Sequence, residues 1–189
     1  MTTQADRESG DLAPNDLETV AKARKGDPAA FHELVDRHAA YLFGLAASLV
    51  GNATDAEDIV QETFAGAFRG LAAFRGRSSL KTWLTQILLR QAAAHRRGRR
   101  RFLSFLAVRS SSVPEHAPSA SPSSDARMDV AAALKALSEE HRQVVVLREF
   151  QGLSYEEIAE VLSLPQGTVE SRLFRARRAL QELLRGYLA

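Results

Sequence analysis

Apolar residues recur every three or four positions along almost the whole chain, and no stretch alternates apolar and polar residues as a half-buried strand does. The pattern predicts an all-α protein in two helical stretches. In the first, Asn15 and Glu18 form a capping-box pattern, Asp27-Pro28 opens a long helix that Gly51 closes, and Thr54 with Glu57 opens a third. A fourth helix is expected to start near Ser78 or Ser79. In the second stretch, a short helix from about Asp129 leads to Ser138, which caps a helix running to Phe150 before Gly152. Ser154 with Glu157 then caps a short acidic helix. Between the two stretches, RSSSVPEHAPSASPSSDAR has no apolar repeat and cannot bury enough surface to fold by itself. As a flexible chain it has a root-mean-square span of roughly 25 Å. The expected organisation is a disordered tail over 1–15, a small helical domain over 16–108, a flexible linker over 109–127 and a second helical domain over 128–189.

Composition narrows the class. With 189 residues, 45% hydrophobic and 25% charged, the chain can bury one ordinary core or two small ones. No apolar run approaches the ~20 residues that a membrane span needs, and the opening MTTQADRESGD is unlike a secretory leader, so a cytoplasmic protein is expected. The sequence has no cysteine, and its five histidines (His32, His38, His95, His116, His141) are scattered, with no pair at i,i+3 or i,i+4. No metal, cofactor or small-molecule substrate is expected.

The net charge of +2 conceals an alternation. Residues 1–60 hold five basic and eleven acidic side chains, residues 61–110 eleven and one, residues 111–170 four and ten, and residues 171–189 five and one. A solvated surface accounts for any single block, whereas the doubled alternation ending in arginine clusters points to a polyanion partner.

The stretch LSYEEIAEVLSLPQGTVESRLFRARRAL shows how that partner would be met. At about 100° per residue, Val169, Leu173, Ala176, Leu180 and Leu183 share one face of the last helix, its expected buried stripe. Ser171, Phe174, Arg175 and Arg178 lie opposite, flanked by Thr168, Glu170, Arg172 and Arg177. With SLPQG as the corner, this is the layout of a helix-turn-helix, whose second helix enters the DNA major groove. Arginine there can donate two hydrogen bonds to guanine, Glu can accept from cytosine, and an outward Phe can touch a thymine methyl. The angular pattern alone leaves a second reading open, because cations also favour a helix C-terminus and helical hairpins are common in bundles.

The stretch ALSEEHRQVVVLREFQGLSYEEIAEVLSLPQGTVESRLFRARRAL closely resembles the promoter-reading region four of extracytoplasmic-function (ECF) sigma factors, the small two-domain specificity subunits of bacterial RNA polymerase. DAEDIVQETFAGAFRGLAAFRGRSSLKTWLTQIL independently resembles their region two. Together the matches cover roughly Asp16 to Leu184. The resemblance implies a binding subunit without chemistry of its own, with core RNA polymerase (clamp and flap), promoter DNA and an anti-sigma factor as partners. It implies that Asp58, Gln61 and Glu62 meet the polymerase clamp. Arg75, Arg77, Ser78, Lys81, Arg90, Arg96, Arg97 and Arg100 would hold the −10 element and its single strand. Thr168, Glu170, Ser171, Arg172, Phe174, Arg175 and Arg178 would read the −35 element.

Without the resemblance, the acidic face of the Asp58 helix reads as an ordinary solvated first turn, and Trp83 as core rather than stacking platform. The sequence departs from the family pattern at Arg90, Ala94 and Glu170, which leaves the preferred promoter open. The apolar FLSFLAV, Phe102 to Val108, reads as an extension of the preceding helix or an inhibitor-docking surface, with a membrane-surface segment as a third reading. Two rival functions are a stand-alone helix-turn-helix regulator and a phosphohydrolase using the carboxylates of DAED and YEE. The latter lacks histidine ligands and a phosphate-cradling glycine loop beside those carboxylates.

Overall fold

The computed structural model describes residues 14–76, 78–109 and 125–185, and among them every regular element is helical. The first module contains α1 (Pro14–Arg24), α2 (Pro28–Val50), α3 (Ala53–Gly70) and α4 (Leu80–Arg109), with a 3-10 turn over Leu71–Ala73. The second contains α5 (Asp125–Ala136), α6 (Glu139–Val145), a π-helical turn over Val146–Phe150, α7 (Tyr155–Leu162) and α8 (Gln166–Leu183). The expected tail falls largely, and the expected linker mostly, outside the described residues; of the linker, Arg109 ends α4 and residues 125–127 open α5.

The start and stop signals act mostly where expected. Asp27 caps α2, its carboxylate accepting from the backbone N–H groups of Ala29 and Ala30 at 2.9 and 3.3 Å, and Gly51 closes the helix at φ 78°. The cap of α3 is Asn52 rather than Thr54: the extended Asn52 accepts from Asp55 N at 2.8 Å, which leaves Thr54 already inside the first turn. Likewise α1 begins at Pro14, so Asn15 stands within the helix and not before it. Ser79 starts α4 by accepting from Thr82 N at 3.0 Å. FLSFLAV continues α4, with Phe102 and Phe105 exposed.

The helix expected from Ser138 to Phe150 changes geometry after Val145. Ser138 caps it, but the four successive apolar residues Val144, Val145, Val146 and Leu147 are all buried, and the turn widens to π. A segment apolar on every side must be enclosed on every side. Here α8 and α7 cover it from within the module, and α2 of the first module covers the rest. The buried apolar residues of both modules therefore form one continuous cluster.

Arg142 fastens this junction. Its guanidinium donates to the carbonyls of Leu134 (2.7 Å), Lys135 (2.7 Å) and Leu137 (3.1 Å) at the end of α5, and to Leu49 O (3.0 Å) at the end of α2. One cation thus satisfies the orphan carbonyls of two helices, where the macrodipole favours positive charge. Removing it leaves those acceptors without their charged donor. Arg142→Ala is expected to cost about 2–4 kcal/mol in chemical denaturation; a loss under about 0.5 kcal/mol would contradict the role given to this side chain.

The corner between α7 and α8 depends on Ser163, which closes α7 in the left-handed region at φ 54°, ψ 48°. Leu164 N then donates to Ala159 O at 2.9 Å, and the extended Pro165 starts α8. The break is thus made at Ser163 and Pro165, with Gly167 inside the first turn of α8. A residue with a Cβ is disfavoured at that left-handed position. Ser163→Gly should raise stability by about 0.5–1 kcal/mol, measured from the denaturation midpoint, and a fall would contradict the corner geometry.

Candidate nucleic-acid interface

In the second module, α7 is a short strut whose capping box is complete: Glu157 N donates to Ser154 Oγ at 3.1 Å and Ser154 N donates to Glu157 Oε2 at 2.7 Å. Ile158 and Val161 anchor it, and it fixes the entry angle of α8. Val169, Leu173 and Ala176 of α8 are buried and Leu180 is half-buried, whereas Leu183, expected on the same stripe, is exposed at the helix end.

The opposite face of α8 presents Phe174 at 63% exposure together with exposed Arg175 and Arg178, and half-buried Ser171 one turn earlier. Neither arginine has a described carboxylate partner. The flanks differ. Arg172 pairs with Glu140 at 3.1 Å and Arg177 with Glu149 at 2.6 Å, so both lie along the module's own acidic residues. Glu170 is exposed and accepts from Gln166 Nε2 at 3.1 Å, while Ser171 donates to Thr168 O at 3.0 Å. The structure thus brings Ser171, Phe174, Arg175 and Arg178 onto one free surface and leaves Arg172 partly engaged. An exposed aromatic ring beside two unpaired guanidiniums can take up a base edge or methyl between two phosphate-seeking cations.

In the first module the candidate residues lie along α4 and the loop before it. Phe74 is buried against Trp83, with ring centroids 4.8 Å apart, and a Cβ at Gly70 would meet the Trp83 ring at 3.3 Å. Trp83 is therefore half-buried and packed against the core. Arg75 is exposed, Gly76 turns the loop at φ 67°, Ser78 is half-buried, and Arg77 lies outside the described residues. Lys81 sits with Nζ 4.4 Å from the Tyr41 ring centroid, a cation–π contact that holds it over the first module.

Further along α4, Arg90, Arg97 and Arg100 are exposed, Arg99 pairs with Asp55 at 3.0 Å, and Arg96 is half-buried in an ion pair with Glu139 of the second module. Burial and the neighbouring charges of Arg142, Arg100 and Arg97 all press the Arg96 guanidinium towards a lower pKa. At about 100° per residue Lys81 and Arg90 project from opposite sides of α4. The structure therefore splits the expected −10 set. Arg90, Arg97 and Arg100 share one side with Arg96, and Lys81 belongs with the Arg75–Ser78 loop.

On α3, Asp58, Gln61 and Glu62 are exposed at i, i+3, i+4 and form one acidic face, while Ala56, Ile59, Thr63 and Ala67 are buried behind them. Asp55, one turn earlier, is instead held within the fold by Arg99 and by His95 at 3.7 Å. Among the described residues no group of three or more His, Asp or Glu side chains could hold a metal, and no helix is long and apolar enough to cross a membrane.

Sequence reasoning missed the contacts between the modules. Gln86 donates its amide to Glu160 O at 3.2 Å, Arg96 meets Glu139, and Arg142 reaches Leu49 O. The only advance sign was that the basic block 61–110 and the acidic block 111–170 are electrostatic complements. Part of that charge is answered within the chain.

Comparison with known proteins places the chain in a family. Residues 34–102 match the family described as Sigma-70 region 2, and residues 127–180 match Sigma-70, region 4. The chain is 38% identical over 184 residues to the RNA polymerase sigma-H factor of Pseudomonas aeruginosa, covering 92% of this chain and 95% of that protein. It is 38% identical over 175 residues to the ECF RNA polymerase sigma-E factor of Escherichia coli K12, covering 85% and 90%. Among solved structures, it resembles CnrH in complex with the cytosolic domain of CnrY, with a TM-score of 0.69, 31% identity and coverage of 90% of this chain and 97% of that one. It also resembles the sigma factor RpoE in complex with the anti-sigma factor NepR from Bartonella quintana, with a TM-score of 0.67, 32% identity and coverage of 82% and 96%. With two family regions matched in chain order and relatives aligned over nearly their whole length, the chain belongs to the sigma-70 family and is an RNA polymerase sigma factor that directs transcription.

Proposed function

We propose that the chain is a sigma factor of the ECF type (group IV), which binds core RNA polymerase, carries it to a two-part promoter and helps to open the duplex. One observation carries this reading: a single chain holds an unpaired acidic face on α3 and an unpaired basic-aromatic face on α8, on two different modules. A stand-alone DNA-binding regulator needs the second face and has no use for the first.

The residues take complementary roles. Asp58, Gln61 and Glu62 dock on a basic coiled coil of the polymerase clamp, and the second module lies near the flap. The loop carrying Arg75, Arg77 and Ser78, with Lys81 beyond it, holds the single strand and accepts a base turned out of the stack. Arg90, Arg96, Arg97 and Arg100 hold the backbone upstream of the opening. Ser171, Phe174, Arg175 and Arg178, with Thr168, Glu170 and Arg172 beside them, read the duplex in its major groove. The protein itself performs no bond chemistry, and the catalytic metal is the polymerase's. Its place of work is the cytoplasm, and an anti-sigma factor holds it until needed. CnrH and RpoE, each solved with a bound partner, support that last expectation.

Transcription in vitro with bacterial core polymerase across a promoter library tests the reading; absence of any promoter-directed transcript would overturn it. Within that assay Arg175→Ala should weaken discrimination at the upstream element by about 1–3 kcal/mol, and an unchanged promoter preference would reject its base-reading role. Asp58→Arg should reduce co-purification with core polymerase at least about tenfold, since it opposes a cation to a basic surface. Equal recovery of variant and parent would contradict docking through α3.

A further inference from the structure

Little apolar surface holds α1 to the first module. Among its described side chains Val20 and Ala23 are the buried apolar ones, and Asp16 and Thr19 are buried with them. An isolated helix of eleven residues is marginal in water, so α1 persists because it docks. Its Asp16 carboxylate serves two side chains of α2. One is Arg37, which also pairs with Glu33 one turn back, and the other is His38, whose Nε2 stands 3.8 Å from Asp16 Oδ2. That Nε2 is buried and, among the described residues, has no hydrogen-bond partner. The charged groups facing the imidazole are Asp16 from α1, Lys81 from α4 and Arg37 from its own helix. At its other end α1 reaches a different element: Arg24 donates to Ala72 O at 3.4 Å, in the 3-10 turn Leu71–Ala73 that leads straight into the Arg75–Ser78 loop. Phe74, between turn and loop, donates its N–H to Leu71 O at 3.1 Å and is buried against Trp83.

We propose that α1 is a proton-sensitive brace: docked over the neutral imidazole of His38 it steadies the turn before the Arg75–Ser78 loop, and protonation of His38 releases it. What the loop holds rests on the proposed function, and the brace itself does not. A proton on His38 sets three cations, His38, Arg37 and Lys81, around a single carboxylate that Arg37 already engages, in a place that water does not reach. Burial is the main cause that pushes the His38 pKa down; Asp16 opposes it, and Arg37 and Lys81 act in the same direction as burial. The sign follows. With α1 docked the imidazole resists the proton, and with α1 released it accepts the proton as an ordinary histidine does. Docking is therefore fully supported above a pH of about 6.5 and weakens progressively as the pH falls below it. Because α1 has so little apolar surface at stake, one proton is enough to change how often it leaves.

Amide hydrogen exchange of the full chain, corrected for the intrinsic pH dependence of exchange, gives the opening constant of each helix even when the open state is rare. In the parent, α1 should open at least about tenfold more often than the core of α3 around Ile59, and its opening constant should rise about threefold between pH 7 and pH 5.5. His38→Leu, which keeps the bulk and removes the titration, should flatten that rise. Asp16→Asn should raise the opening constant at pH 7 about tenfold, because it strips Arg37 and His38 of their shared carboxylate. The Phe74 amide should follow α1 in each case. Equal opening of α1 and α3 would mean that α1 leaves only with the whole module and would overturn the release. So would a pH response that His38→Leu leaves unchanged, or an α1 that tightens in acid because His38 pairs with Asp16 in place. A Phe74 amide indifferent to both substitutions would overturn the bracing of the loop. None of these readings uses polymerase or DNA, so failure of the brace and failure of the sigma-factor assignment appear in different experiments.

Discussion

One helix has to pack against two modules at once, and the rest of the molecule is arranged around that constraint. Along α4, Leu80, Leu84, Ile87 and Leu88 turn one stripe into the first module's core. Gln86, Leu89 and Ala93 turn another to the second module, and Arg90, Arg97 and Arg100 extend that same side beyond the seam. A helix of thirty residues, about 45 Å long, offers room to place these demands in succession but not to separate them by angle. The exposed arginines Arg90, Arg97 and Arg100 are thus continuous with the surface that holds the second module.

Two kinds of interaction divide the work on either side of that helix. Apolar burial joins the modules into one cluster, and it carries no charge for an ion to screen. Across the seam the Arg96–Glu139 pair is partly exposed and worth little, so it sets register and direction rather than stability. Arg142 differs from both, because its four carbonyl partners leave its charge largely committed to the fold. The cations without described partners, Arg97, Arg100, Arg175 and Arg178 among them, form the supply of charge with no structural assignment. In a polyanion-binding protein these residues carry the salt-dependent part of affinity.

Much of the fold could be read from the sequence because its signals are local. Asp27-Pro28, Gly51, Ser138 and the Ser154–Glu157 box each act within one helical turn, and the buried stripe Val169, Leu173, Ala176 follows from helical period alone. The free face of α8 was legible for the same reason. The α3 cap is not decided by local sequence, because Asn52 and Thr54 are both competent and the choice depends on whether the residue at 52 is extended. The π turn after Val145 was hidden, since four adjacent apolar residues become intelligible only when α2 closes over them. Likewise no periodicity could show that Arg96 finds Glu139, or that Lys81 rests on Tyr41. These pairings join distant parts of the chain, and local chemistry is silent on them.

In the proposed sigma function one chain docks on polymerase through the acidic face of α3 and reads duplex DNA through the free face of α8. A photo-crosslinking residue at position 174, the exposed aromatic point of that free face, reports the second contact directly. In a complex of the chain with core polymerase and an active promoter it should capture duplex DNA upstream of the opening. A transcriptionally competent complex that yields no DNA product from this position would contradict the claim.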